Sequence, residues 1–299
     1  MTGSAWRCTP ALLLALLLAA CGSLDHGAAR ATAPARVAAT PSWHDDVAAI
    51  SAHAGSAERR ATIRGLLAGS GIDATETAFT TKDLHGANLI AHVSGDPSQP
   101  LLLIGAHLDQ IDKGNGATDN ASGSGVALAL ARRFHERPLR NHRVAVAFWD
   151  LEEKGLLGAH AHVEGGGEKP VLYVNFDVFG WGDTLWMMTP DPAHPLATAS
   201  ETAARANGLR LSAGEKYPPS DHRAFLRAGW PAVSYSLVGA DEIGPILQMF
   251  DGNRPETVPK VMQVIHSERD TVDELDPAAV EAGINAVEAA LRAWDAGNG

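Results

Sequence analysis

Short apolar runs separated by helical stretches constrain this chain most. Leu101–Ala106 (LLLIGA) has no polar position, so a strand there must be covered on both faces. Arg143–Trp149, Val171–Phe176 and Ala232–Leu237 read as further buried strands. Helical segments fall at 121–137, 155–164, 194–207 and 221–228. Strands alternating with helices imply an α/β domain: a three-layer sandwich around a mostly parallel, doubly wound central sheet. Additional strands are expected at Thr75–Phe79 and Asn88–Val93, with Thr184–Met188 at an edge. One helix is expected over 44–69, ended by Gly69 and Gly71, and another over 276–296.

Five segments end in, or carry, metal-type ligands. They are His107 and Asp109 after LLLIGA, Asp119 in GATDNASG, Glu152 and Glu153 after VAVAFWDL, Asp177 after LYVNF, and His266 after VMQVI. The runs before His107, Glu152, Asp177 and His266 are all expected to be buried strands, and Asp119 precedes a helix. Sites in open α/β sheets form at the carboxyl ends of strands, so these residues can converge. Zinc accepts imidazole nitrogen and carboxylate oxygen. A zinc pair roughly 3.5–4 Å apart needs a bridging carboxylate and about two more ligands per ion. The inventory assigns Asp119 as bridge, Glu153 and His266 to one ion, and His107 and Asp177 to the other. Glu152 is then free to act as general base. Asp109, two residues beyond His107, is placed to orient the imidazole.

The N-terminal segment reads as an address. Arg7 precedes the Ala/Leu run Leu12–Ala20, which is too short to span a bilayer and has the form of a signal-peptide core. Leu18-Ala19-Ala20-Cys21 has the pattern of a bacterial lipobox. The expected organisation is therefore a lipoprotein signal peptide at 1–20, lipidated Cys21 with an Ala/Pro-rich tether at 21–41, and the catalytic domain at 42–299. With Cys8 removed and Cys21 acylated, the domain has no disulfide. The expected location is the bacterial cell envelope, or the medium if secreted. In a Gram-negative host, Gly22 after the cysteine favours the periplasmic face of the outer membrane. A net charge of −11 without a basic block argues against nucleic acid as a partner.

The motifs GAHLD, GATDNASGSGVALALAR, AFWDLEEKGLLGA, NFDVFG, SDHRAFLRAGWPAVSY and IHSERDTVD together resemble zinc metallopeptidase family 28. That family includes bacterial leucyl aminopeptidases, aminopeptidase Y and glutamate carboxypeptidase II. The resemblance covers Asn88 to the C-terminal end. It implies two zinc ions on His107, Asp119, Glu153, Asp177 and His266, with Glu152 as base and Asp109 as orienter, and peptides as substrates. It also implies a cis peptide at Asp119-Asn120. Asp119 follows His107 by only 12 positions, a spacing shorter than in many relatives, which trims the cleft rim. Residues 214–222 match the family's substrate-pocket region. There Tyr217 is a candidate hydrogen-bond donor to the oxyanion, and Asp221 and His222 are expected to brace the loop and cap the next helix. Trp181 is a candidate pocket wall. The favoured reading is an extracytoplasmic aminopeptidase. The alternatives are a one-zinc glutaminyl cyclase on Asp119, Glu153 and His266, and a non-catalytic lipid-anchored binding module. Ile265 stands where cyclases usually have an aromatic residue.

Overall fold

The computed structural model describes residues 42–81 and 83–297, together with Met1. The expected signal peptide, Cys21 and the tether lie outside the described residues. Among those described, eight strands form one sheet: β1 (Ala74–Thr81), β2 (Leu84–Ser94), β3 (Leu101–His107), β4 (Arg143–Trp149), β5 (Leu172–Phe179), β6 (Thr184–Met188), β7 (Arg210–Gly214) and β8 (Ala232–Val238). Their order is β1-β2-β4-β3-β5-β8-β6-β7. The central strands β4, β3, β5 and β8 run parallel, as do β6 and β7. The pairs β1–β2, β2–β4 and β6–β8 are antiparallel, which makes the sheet mixed.

The strand period of two sorts the central side chains into two cores. Leu102, Ile104 and Ala106 of β3 face a core shared with α1 (Trp43–Ser51), α2 (Ser56–Ala68) and α3 (Ser122–Glu136). Leu101 and Leu103 face the opposite core, which includes Ala159 of α4 (Leu157–Glu164). The first core also takes in α5 (Pro195–Ala206) and the C-terminal α9 (Pro277–Gly297), whereas Phe225 of α6 (His222–Arg227) belongs to the second. Gly105 follows Leu101 and Leu103 on the same face, and a Cβ there would lie 2.9 Å from the Tyr173 hydroxyl and 3.0 Å from Trp149 Nε1. Those two groups are hydrogen-bonded to each other beneath the site, Trp149 Nε1 donating to Tyr173 Oη at 2.7 Å.

Three sequence expectations need correction, and one helix was not expected. The helix expected over 44–69 is two helices, broken at 52–55, so that Val47 and Ile50 of α1 and Ile63 and Leu67 of α2 all reach the same core. Ser42 and Asp45 form a capping box that fixes the start of α1. Thr184–Met188 is not an edge strand, because the short, partly exposed β7 pairs outside it. Sequence reading missed α7 (Ala240–Phe250), which holds Pro245 inside it, and it misread VMQVI before His266. That run is helix α8 (Lys260–Val264), not a strand. A five-residue run with four apolar positions carries no period that separates the two states. Here the Val261 N–H donates to the buried Glu242 carboxylate at 2.7 Å, which holds the first turn of the helix against α7.

Candidate metal centre

β3, β4 and β5 end side by side, and the chain leaving each carries its acidic or imidazole groups to one place. His107 Nε2 lies 3.1 Å from Asp119 Oδ1 and 3.5 Å from Asp177 Oδ1. His266 Nε2 lies 3.2 Å from Asp119 Oδ2 and 3.3 Å from Glu153 Oε2. The two oxygens of Asp119 therefore face two different histidines. Within each set, His107–Asp119–Asp177 and Asp119–Glu153–His266, the ligand atoms lie within 4.8 Å of one another. His107 Nε2, Asp177 Oδ1 and Glu153 Oε1 are buried without a hydrogen-bond partner. Buried polar atoms left unpaired are costly, and cations held by the two ligand sets would offset that cost. Two imidazoles with three carboxylates are a donor set that suits zinc.

The backbone is bent to achieve this. Leu151 (φ 59°), Val178 (φ 55°) and His266 (φ 58°) are left-handed although none is glycine. Such positions cost about 1–3 kcal/mol each, most clearly for β-branched Val178. They stand beside Glu152, beside Asp177 and at His266 itself, so each turn re-aims a side chain into the cluster.

The Asp119 turn is gripped from three sides. The Thr118 and Asp119 N–H groups donate to the Asp270 carboxylate at 2.6 and 3.2 Å. Asn120 Nδ2 donates to the Phe176 carbonyl at 2.9 Å, and Ser122 Oγ donates to the Thr118 carbonyl at 2.6 Å. The Asp119-Asn120 peptide is cis. Gly114 (φ 64°) allows the close approach to the His266 segment, since a Cβ there would lie 2.4 Å from the Ser267 carbonyl.

Asp109 lies 3.4 Å from His107 Nδ1, and its carboxylate accepts the Glu152 and Glu153 N–H groups at 3.0 and 3.2 Å. It thus touches His107 and both glutamates, more than sequence spacing suggests. Burial pushes the Glu152 carboxyl up to about 10; His107 opposes this, while Asp221, Asp177 and Asp119 reinforce it. Burial also acts on Asp119, but His107 and His266 prevail and hold its carboxyl well below the usual range.

Beside the cluster is a cavity of about 140 Å³, walled by apolar side chains including Val178, Trp186, Val238, Ile246, Val261 and Ile265. Tyr217 lines it, its ring 4.7 Å from that of Trp186 and its hydroxyl against Ser236 Oγ. Trp181 is not among the lining residues; it stands behind the wall, where its indole N–H donates to Glu242 at 2.8 Å. Asp221 does not cap α6 through its side chain. Instead both of its oxygens are buried without a partner, and burial raises its carboxyl well above the usual range. Sequence reading missed Asp270, Glu242 and Arg59 as supports. Asp270 had a signal, its place four residues after His266; the other two had none.

Residues 88–291 match the model of peptidase family M28. The chain belongs to that family. It is 28% identical over 244 residues to leupeptin-inactivating enzyme 1 of Streptomyces exfoliatus, covering 79% of this chain and 54% of that protein. A probable lipoprotein aminopeptidase of Mycobacterium tuberculosis is 33% identical over 113 residues, 36% of this chain and 23% of the relative. The chain thus spans about half, or less, of the length of these relatives. Among solved structures, a zinc aminopeptidase from Bacillus subtilis aligns with TM-score 0.56 and 23% identity over 70% of this chain and 50% of that one. Glutaminyl cyclase from Porphyromonas gingivalis aligns with TM-score 0.67 and 19% identity over 84% of this chain and 97% of that one. At such identities the structural likeness is one of fold, and the fold is the three-layer α/β sandwich of zinc aminopeptidases.

Proposed function

We propose that this chain is a zinc-dependent exopeptidase that removes N-terminal residues from peptides. The observation that carries the reading is Asp119, whose two oxygens face His107 and His266, each within its own ligand set. His107 and Asp177 would hold one zinc, Glu153 and His266 the other, with Asp119 shared. Bound zinc supplies Lewis acidity and makes a water a stronger nucleophile near neutral pH. Glu152 takes the proton of the attacking water and passes it to the departing amine, so no covalent intermediate with the chain is needed. Asp109 holds the Glu152 backbone and the His107 ring in register. The apolar cavity receives the side chain next to the scissile bond, which favours leucine-like residues over charged ones. Tyr217 we assign to the cavity wall, because its hydroxyl is already engaged by Ser236.

A second reading is cyclisation of N-terminal glutamine on a single zinc. It is favoured by the near full-length alignment with the Porphyromonas gingivalis cyclase, itself a likeness of fold. Against it stands the second ligand set of His107 and Asp177. One assay separates them. Leu- and Ala-initiated peptides should yield free amino acid in a chelator-sensitive reaction, and N-terminally blocked peptides should not. Conversion of a Gln-initiated peptide to its cyclised form without amino-acid release would reverse the order of the two readings.

We further propose that Cys21 anchors the domain to a bilayer outside the cytoplasm. The lipobox-like LAAC supports this, and so does the name of the Mycobacterium tuberculosis relative. Cys21→Ser should move the protein from the membrane to the soluble fraction; unchanged fractionation would exclude the anchor.

A further inference from the structure

Arg59 of α2 is fully buried, with 0% of its surface exposed, and it lies upstream of the residues matched by the family model. Burying a guanidinium is expensive unless its N–H groups are matched. Nη1 donates to the carbonyls of Leu108 and Asp109 at 3.0 and 3.2 Å, and Nη2 to those of Asn115 and Gly116 at 3.0 and 2.8 Å. The first pair of carbonyls follows His107 directly, and the second pair precedes Asp119. The fork therefore ties together the two ends of the short loop that separates these ligands.

Neither end is otherwise loose. The Leu108 N–H donates to the Trp149 carbonyl at 2.8 Å, close before Glu152, and the Asn115 N–H donates to the Asp270 carbonyl at 2.7 Å. Asp270 in turn holds the Asp119 backbone. What Arg59 adds is the cross-tie between these two anchored ends, through a rigid planar group with the needed spread of donors. Its charge also faces Asp109, Asp270, Asp119 and Glu153. An apolar residue would fill the space and leave four loop carbonyls without these donors.

We infer that Arg59 is a positioning residue of the metal centre, setting His107 against Asp119 by clamping the carbonyls at both ends of the 108–116 loop. This rests on the zinc reading above. Arg59 makes no hydrogen bond to the cavity wall formed from β6, β8, α7 and α8, so its loss should separate metal binding and kcat from KM.

The test uses the full chain with Arg59→Lys and Arg59→Met. Zinc affinity is measured by competition with a chromophoric chelator, fold by circular dichroism, and hydrogen exchange at residues 108–118 in the zinc-free protein. Lysine keeps the charge but places its three donors on one nitrogen, so it cannot span the fork. The expected result for a folded Lys variant is zinc affinity and kcat lower by about 10–100-fold, as for other residues that support ligands. KM should stay within about twofold of wild type on the same argument, and loop amides should exchange faster. Wild-type zinc affinity in either folded variant overturns the inference. So does failure of both variants to fold, which would make Arg59 a residue of folding alone. A wild-type chain that takes up no zinc defeats the metal reading instead; in that case unchanged loop exchange in the Lys variant defeats the clamp as well.

Discussion

Glu152→Gln is expected to lower kcat by about 10²–10⁴-fold, the range for loss of a general base, while zinc content stays at the wild-type level. Glu152 lines the cleft but belongs to neither ligand set. The amide keeps its shape and loses its ability to take a proton. Its backbone is held independently, by Asp109 at 3.0 Å and by the left-handed turn at Leu151, so the substitution should not move Glu153. Burial drives the Glu152 carboxyl up to about 10, and divalent cations at the neighbouring carboxylates act in the opposite direction. The check is kcat together with metal analysis on one preparation. Turnover near wild type would remove Glu152 from the mechanism, and loss of zinc would make it a ligand.

Asp119→Asn is expected to empty the centre. Its two oxygens face His107 Nε2 at 3.1 Å and His266 Nε2 at 3.2 Å, so one substitution reaches both ligand sets. The amide removes the negative charge and turns one donor atom into an NH₂ group that cannot ligate. Zinc should fall below one ion per chain, and activity should drop by more than the ~10–100-fold typical of a residue that only supports a ligand. The fold should survive, because Asp270, Asn120 and Ser122 grip the turn without the Asp119 side chain. Retention of both ions in the Asn variant would exclude a bridging role.

The central sheet was legible because its strands need cover on both faces and therefore carry unbroken apolar runs, as in Leu101–Ala106. Most of the clustered residues were legible for a related reason: His107, Glu152, Glu153 and Asp177 follow the ends of buried strands, where an acid or imidazole can reach a shared cleft, whereas Asp119 was marked only by the glycine-rich turn before a helix. His266 joins the cluster despite a wrong assignment of its segment, since VMQVI suits a strand by composition, whereas it lies in α8, whose first turn is held by Glu242. The edge strand β7 was missed because Arg210–Gly214 is short and only half covered, which leaves little pattern to read. The supports were the least legible. Arg59 and Leu108 are 49 residues apart, and Asp270 and Thr118 are 152 apart. Apart from the place of Asp270 shortly after His266, no local pattern marks side chains whose partners are backbone carbonyls and amides so distant in the chain. Asp221 shows the same limit from the other side, since its place before a helix suggests a cap and its burial beside the acidic cluster comes from tertiary packing.

The most direct measurement is zinc per chain by plasma mass spectrometry, made on protein whose release of amino acid from a Leu-initiated peptide is followed through chelation and zinc return. Two ions per chain, with activity lost on chelation and restored by zinc, is the result this account predicts. Hydrolysis that persists in metal-stripped protein, or a chain that binds no zinc, would contradict it.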